Sequence, residues 1–266
     1  MSDPSSADAG PAATPPLDWR AELAEGRFAR AYRASTLAQE APAEVRSALS
    51  GLADAEALVK DKAWGRAIKR LAALQTRPAI LAWHDLEADL ACLQRSGEAL
   101  DRRRPDDALQ ALAEVRSELW SAEAETQRGT AMIYDGRLED ARAAFERALE
   151  RDPDHYRALT NLGNVALEEG RVDDAIAAYE RALRLNEDFA NAHHNLAVAY
   201  RRKGQVGRSV RSLRRAQRLM QRRDVDDARD RLGSWSGPRT GRTLRWIVYA
   251  ALAVALYLVL HSRGVL

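Results

Sequence analysis

Five arginines, Arg208, Arg211, Arg215, Arg218 and Arg222, follow one another at spacings of three and four residues. On a helix this spacing forms a single stripe. The surrounding stretch, 201–223, holds ten Arg or Lys and no acid. A guanidinium row of this kind suits oxygen anions, either the phosphates of anionic membrane lipid or those of nucleic acid. Aromatic residues for base stacking are absent from the stretch, which ranks nucleic acid below lipid and below the third reading, a simple solvated face. Val206, Val210, Leu213 and Met220 are expected to pack as the opposing apolar stripe.

Residues for bond-making chemistry do not assemble into a recognisable set. No Gly-Lys pair is present to build a phosphate loop. In GSWSG the nucleophile position is occupied by Trp235. His193 and His194 are adjacent and point away from each other on a helix. His84, near Asp85 and Glu87, forms the densest group of metal-type ligands, at a spacing ordinary for a helix surface. Cys92, the single cysteine, lies between leucines and reads as a small core residue. The expectation is a non-enzyme with no catalytic residue, cofactor, metal or small-molecule substrate.

The elements carrying these residues emerge from charge and period. Residues 1–200 hold 25 Arg or Lys against 35 Asp or Glu, and residues 201–266 hold 16 against 4. The near-neutral total of +2 therefore hides an acidic body and a basic end. Gly136, Gly170 and Gly204 are separated by 34 residues. Ala141, Ala175 and Ser209 keep the same interval, as do Phe145, Tyr179 and Leu213, and Ala148, Ala182 and Ala216. Such a period marks stacked supersecondary units at 122–155, 156–189 and 190–223.

The middle unit has Leu159, Leu162-Gly163, Ala175, Tyr179 and Ala182, and so resembles the tetratricopeptide repeat. The resemblance implies an all-α, right-handed α-solenoid of helix hairpins. Weaker units continue upstream, where Ala67, Leu71 and Leu74, and again Ala108, Leu112 and Val115, repeat the second-helix spacing. Residues 17–121 are therefore expected to be degenerate hairpins, with about six helix pairs in all. The resemblance also implies a concave groove whose lining includes Thr126, Gln127, Thr130, Thr160, Asn161, Asn164, His194 and Asn195, with Glu123, Arg157, Asn191 and Val198 nearby. Gln127, Asn161 and Asn195 lie 34 apart and are expected to form an amide ladder; it either pairs with a peptide backbone or serves the structure by pairing with neighbouring helices. Asn164 and Asn195 match two positions of the chaperone-binding carboxylate clamp, but Thr160 replaces its lysine, so that ligand is not implied.

Residues 1–16 are rich in proline and small residues and read as a disordered leader. Residues 224–245 read as a polar extension and a Gly/Ser/Pro linker. Trp246 to Leu260 is an uncharged run of 15 residues. With snorkelling arginines and local thinning it reaches far enough to give a transmembrane helix over 246–262. A buried cap and an interfacial helix are the alternatives. Arg239, Arg242 and Arg245 precede the run and Arg263 follows it, placing the body in the cytoplasm. The use of 37 Arg and 4 Lys is associated with GC-rich bacterial genomes, which makes the expected membrane a bacterial inner membrane. The expected function is a tail-anchored scaffold or adaptor holding a protein or peptide partner, with the basic helix against anionic lipid. The alternatives are a soluble nucleic-acid-associated repeat protein using helix 201–223, and a regulatory subunit of a membrane enzyme complex.

Overall fold

A computed structural model describes residues 18–38, 41–79 and 81–235. The described residues form twelve α-helices and no strand. They pair as antiparallel hairpins in chain order: α1 (Trp19–Ala24) with α2 (Phe28–Ala38), α3 (Ala43–Lys60) with α4 (Trp64–Ala72), and α5 (Trp83–Asp101) with α6 (Pro105–Ala113). After a short 3-10 turn at Glu118–Trp120 come α7 (Ser121–Tyr134) with α8 (Leu138–Arg151), α9 (Tyr156–Glu168) with α10 (Val172–Leu185), and α11 (Ala190–Arg202) with α12 (Val206–Trp235). Each hairpin lies against the next, giving an α-solenoid.

All six hairpins turn through a residue of positive φ: Gly26, Lys62, Arg103, Gly136, Gly170 and Gly204, at +55° to +78°. The left-handed conformation lets the following amide reach back to a carbonyl of the last helical turn, as Arg137 N does to Met132 O at 2.9 Å. Glycine has no Cβ to penalise this geometry. Lys62 and Arg103 adopt it without that freedom, which is why the upstream turns escape a search for spaced glycines.

The hairpins close on small residues. Ala141, Ala148, Ala175 and Ala182 are fully buried between paired helices. A Cβ on Gly129 would come within 2.5 Å of the Phe145 ring, and one on Gly163 within 2.5 Å of the Tyr179 ring. In the third repeat the same pair of positions is Ala197 and Leu213, a larger residue facing a smaller one.

Upstream, one core runs from Trp19 through Leu49, Leu52, Leu86 and Leu90 to Trp120 and Ala124. Phe28 meets Trp120 edge to face at 5.1 Å, and Trp120 Nε1 donates to the Leu86 carbonyl at 3.1 Å. Buried Asp89 accepts from the backbone amides of Arg116 and Ser117 at 2.9 and 2.8 Å, fixing the segment that leads into α7.

Three expectations change. Val206, Val210, Leu213 and Met220 do not pack: they are 37–64% exposed. Phe145 and Tyr179, the counterparts of Leu213, are fully buried because a following hairpin covers them. No such hairpin follows α12 among the described residues. Secondly, α12 continues to Trp235, so Gly233–Trp235 belong to the helix and not to a linker. Thirdly, the single-pass membrane localisation is corrected. Among the described residues no helix is long and apolar enough to cross a membrane. The run 246–262 lies outside the described residues, as does the expected leader at 1–16, so the anchor and the cytoplasmic placement derived from it have no support.

Candidate functional site

The first helices of the last three hairpins, α7, α9 and α11, lie side by side and present the positions expected to line the groove. In two of the columns accessibility rises along the solenoid. Glu123 is 3% exposed, Arg157 9%, and the equivalent Asn191 is open to solvent. Thr126 and Thr160 are buried, whereas the equivalent His194 is exposed. The threonines return their hydroxyls to their own helix, Thr126 to Ala122 O at 2.8 Å and Thr160 to Tyr156 O at 2.9 Å. They are structural at these positions and have no free hydroxyl hydrogen for a ligand.

Gln127, Asn161 and Asn195 do not bond to one another. Gln127 is buried and donates to Glu123 Oε1 at 2.9 Å. Asn161 donates to Thr130 Oγ1 at 3.3 Å, and Asn195 donates to Asn164 Oδ1 at 2.7 Å. Each asparagine thus reaches the residue 31 positions before it and staples its helix to the previous one. Asn164 Oδ1 also accepts from the Tyr179 hydroxyl at 2.8 Å. The two asparagine amides are committed to inter-repeat contacts through these atoms, and Gln127 to a contact within α7.

The first of the expected groove positions belong to a buried ionic cluster that residue spacing did not reveal. Glu123 accepts from Gln127 and from Arg157 Nη1, the latter at 2.9 and 3.1 Å to its two oxygens. His155 Nε2 is 3.2 Å from Glu123 Oε2, while His155 Nδ1 accepts from Ala158 N at 3.3 Å and caps α9. Accepting at Nδ1 places the imidazole hydrogen on Nε2, so the neutral ring donates to Glu123. Burial opposes ionisation of Glu123, but the Arg157 charge and the donors around it prevail and hold its pKa at about 2.

Beside this cluster the end of α3 crosses to the α8–α9 turn. Lys60 Nζ lies 2.6 Å from Asp152 and 2.6 Å from Glu56. Burial works against the Lys60 charge, yet the two carboxylates outweigh it and raise its pKa. Asp152 is likewise penalised by burial and held below the usual carboxylate range by Lys60. The Tyr156 hydroxyl donates to Asp61 Oδ1 at 2.6 Å, and Arg27 Nη1 donates to the Arg151 carbonyl at 3.0 Å. The N-terminal hairpins are thereby joined to the α8–α9 turn and the start of α9.

Next to this junction a cleft of about 570 Å³ opens between the α3–α4 turn, the α10–α11 turn and α12. Lys60, Lys62, Arg66, Arg157, Arg222 and Arg223 line it from three segments of chain. Of the arginine stripe, only Arg222 is in this lining. Arg208 lies over the Tyr200 ring at 5.0 Å, Arg215 pairs with Asp188 at 2.7 Å, and Arg218 donates to the Arg214 carbonyl at 3.3 Å. Arg211 is exposed.

The tetratricopeptide repeat family model matches residues 126–188 and 160–219. A comparison with curated proteins finds no match. Among solved structures, a crystal structure of MamA is 22% identical, with 64% of this chain and 96% of that chain covered at a TM-score of 0.42. YrrB, described as a tetratricopeptide repeat protein with an unusual peptide-binding site, is 18% identical over 62% of this chain and 82% of that chain, at a TM-score of 0.39. The second tetratricopeptide repeat of Spaghetti (RPAP3), bound to an HSP90 peptide, is 16% identical over 46% and 98%, at a TM-score of 0.36.

Proposed function

We propose that this tetratricopeptide-repeat chain is a non-enzymatic scaffold that holds an extended segment of a protein partner on the concave side of its last two hairpins. The observation that carries this reading is the accessibility gradient. Two groove columns are sealed in α7, nearly sealed in α9 and open in α11, where Asn191 and His194 face solvent. Tetratricopeptide repeats serve as surfaces for peptides or protein partners, and here the open stretch is confined to one end. Half-buried Asn161, Thr130, Asn164 and Asn195 stiffen the floor through their staples. Open Asn191 and His194 supply donors and acceptors to a ligand backbone. A stiff floor reduces the ordering cost of binding.

Selection of peptides from a random library displayed on phage, using the full chain as bait, tests this. Enriched peptides are expected to lose affinity for Asn191→Ala/His194→Ala by about tenfold, the loss of one or two good hydrogen bonds. A library from which nothing is enriched, or peptides indifferent to that variant, would refute the reading.

A further inference from the structure

We infer that the cleft between the α3–α4 turn and α12 receives a short acidic segment of the partner. This inference deepens the scaffold reading above and depends on it. Three of the six lining cations use their charge inside the protein: Lys60 on Glu56 and Asp152, Lys62 on Asp101 at 2.9 Å, and Arg157 on Glu123. Arg66, Arg222 and Arg223 are exposed and line the cleft. Arg66 belongs to the second hairpin and the other two to the last, so only the folded solenoid brings them to one cavity. Of the two lining acids, Asp188 is held by Arg215 and Asp61 accepts the Tyr156 hydroxyl.

The remaining lining favours peptide. Phe189 and Leu219 give the wall an apolar patch, and Asn191, one of the open groove residues, belongs to the same lining. A segment lying on α11 therefore continues into the cleft without leaving the surface. Guanidinium groups match carboxylates in two-pronged geometry. Nucleic acid is disfavoured by the charge of the rest of the chain. Residues 1–200 carry 35 acids against 25 bases, a field that repels a long polyanion but leaves a short segment inside the cleft unaffected.

The test is fluorescence anisotropy on the full chain with three labelled probes. They are a ten-residue Asp/Glu-rich peptide containing one Leu, its Asn/Gln counterpart, and a ten-nucleotide single-stranded DNA. The acidic peptide should bind most tightly, and Arg66→Gln/Arg222→Gln/Arg223→Gln should weaken it about tenfold. The control Arg184→Gln/Arg211→Gln/Arg214→Gln, on exposed arginines outside the cleft, should leave its affinity unchanged. Equal binding to the cleft variant and the parent overturns the inference, as does tighter binding of the DNA. If the neutral peptide binds through Asn191 and His194 while the acidic one gains nothing, the acidic preference falls and the scaffold reading stands. If neither peptide binds, both fall.

Discussion

Asn195 donates its side-chain amide to Asn164 across 31 residues, at 2.7 Å, while Asn164 accepts from Tyr179 through the same oxygen. One carbonyl therefore ties α11, α9 and α10 together. Replacing Asn164 by Ala removes the acceptor for two donors. Asn164→Ala is expected to cost about 2 kcal/mol, and Asn195→Ala about 1 kcal/mol. Chemical denaturation of both variants and the double variant checks this, with a double-variant cost below the sum as the sign of coupling.

Gly163 faces Tyr179 so closely that no side chain fits between them. Gly163→Ala improves helix propensity by about 1 kcal/mol, but drives a methyl to 2.5 Å from a buried ring. Overpacking of about 1–3 kcal/mol should prevail and lower the thermal midpoint. Adding Tyr179→Leu should recover part of the loss, since the smaller side chain leaves room for the methyl group. A double variant less stable than Gly163→Ala would contradict this account.

Glu123 makes stability depend on acid. Its pKa is about 2 when folded, against an ordinary 4.5. A depressed carboxylate contributes stability that is complete above its unfolded value and is lost as pH falls towards the folded one. The window is therefore pH 4.5 down to about 2, and the contribution is on the order of 3 kcal/mol. Urea midpoints across that window should fall less steeply for Glu123→Gln than for the parent chain. Parallel slopes would assign the acid sensitivity elsewhere.

Arg103 turns its hairpin at a φ of +55°. Glycine adopts this conformation without the Cβ strain. Arg103→Gly should raise stability by about 0.5–1 kcal/mol despite losing the stack of Arg103 on Tyr134. Thermal unfolding should show a midpoint higher by about 2–4 °C. A lower midpoint would mean that the cation–ring contact outweighs the backbone strain.

Spacing made the repeated hairpins of the second half legible, because Gly136, Gly170 and Gly204 need one backbone conformation and Gly163, Ala175 and Ala182 need one close approach. Both demands restrict residue type and so leave a period. The turns at Lys62 and Arg103 left none, since the surrounding packing imposes their conformation on residues that do not announce it. Groove membership of Thr126 and Gln127 was inferred from a repeat considered alone, whereas their burial depends on neighbours in three dimensions. Lys60 with Asp152, and Asp61 with Tyr156, pair across more than 90 residues, and nothing local in either segment encodes such a meeting. The stripe of Arg208, Arg211, Arg215, Arg218 and Arg222 was visible as a period, but a period does not say that Tyr200 and Asp188 engage two of its members.

An ordinary solenoid behaves as a spring whose coils know only their neighbours, so that its end coils fray first and independently. The bridge from Lys60 and Asp61 to Asp152 and Tyr156 fastens one coil to another several coils away. The chain between them becomes a closed ring, and a ring has no free end from which to unwind. Melting within it must either break the clasp or proceed throughout, while α12, beyond the ring, remains free to yield by itself. Amide exchange would record this as one uniformly protected block from α3 to the start of α9, followed by protection that declines along α12.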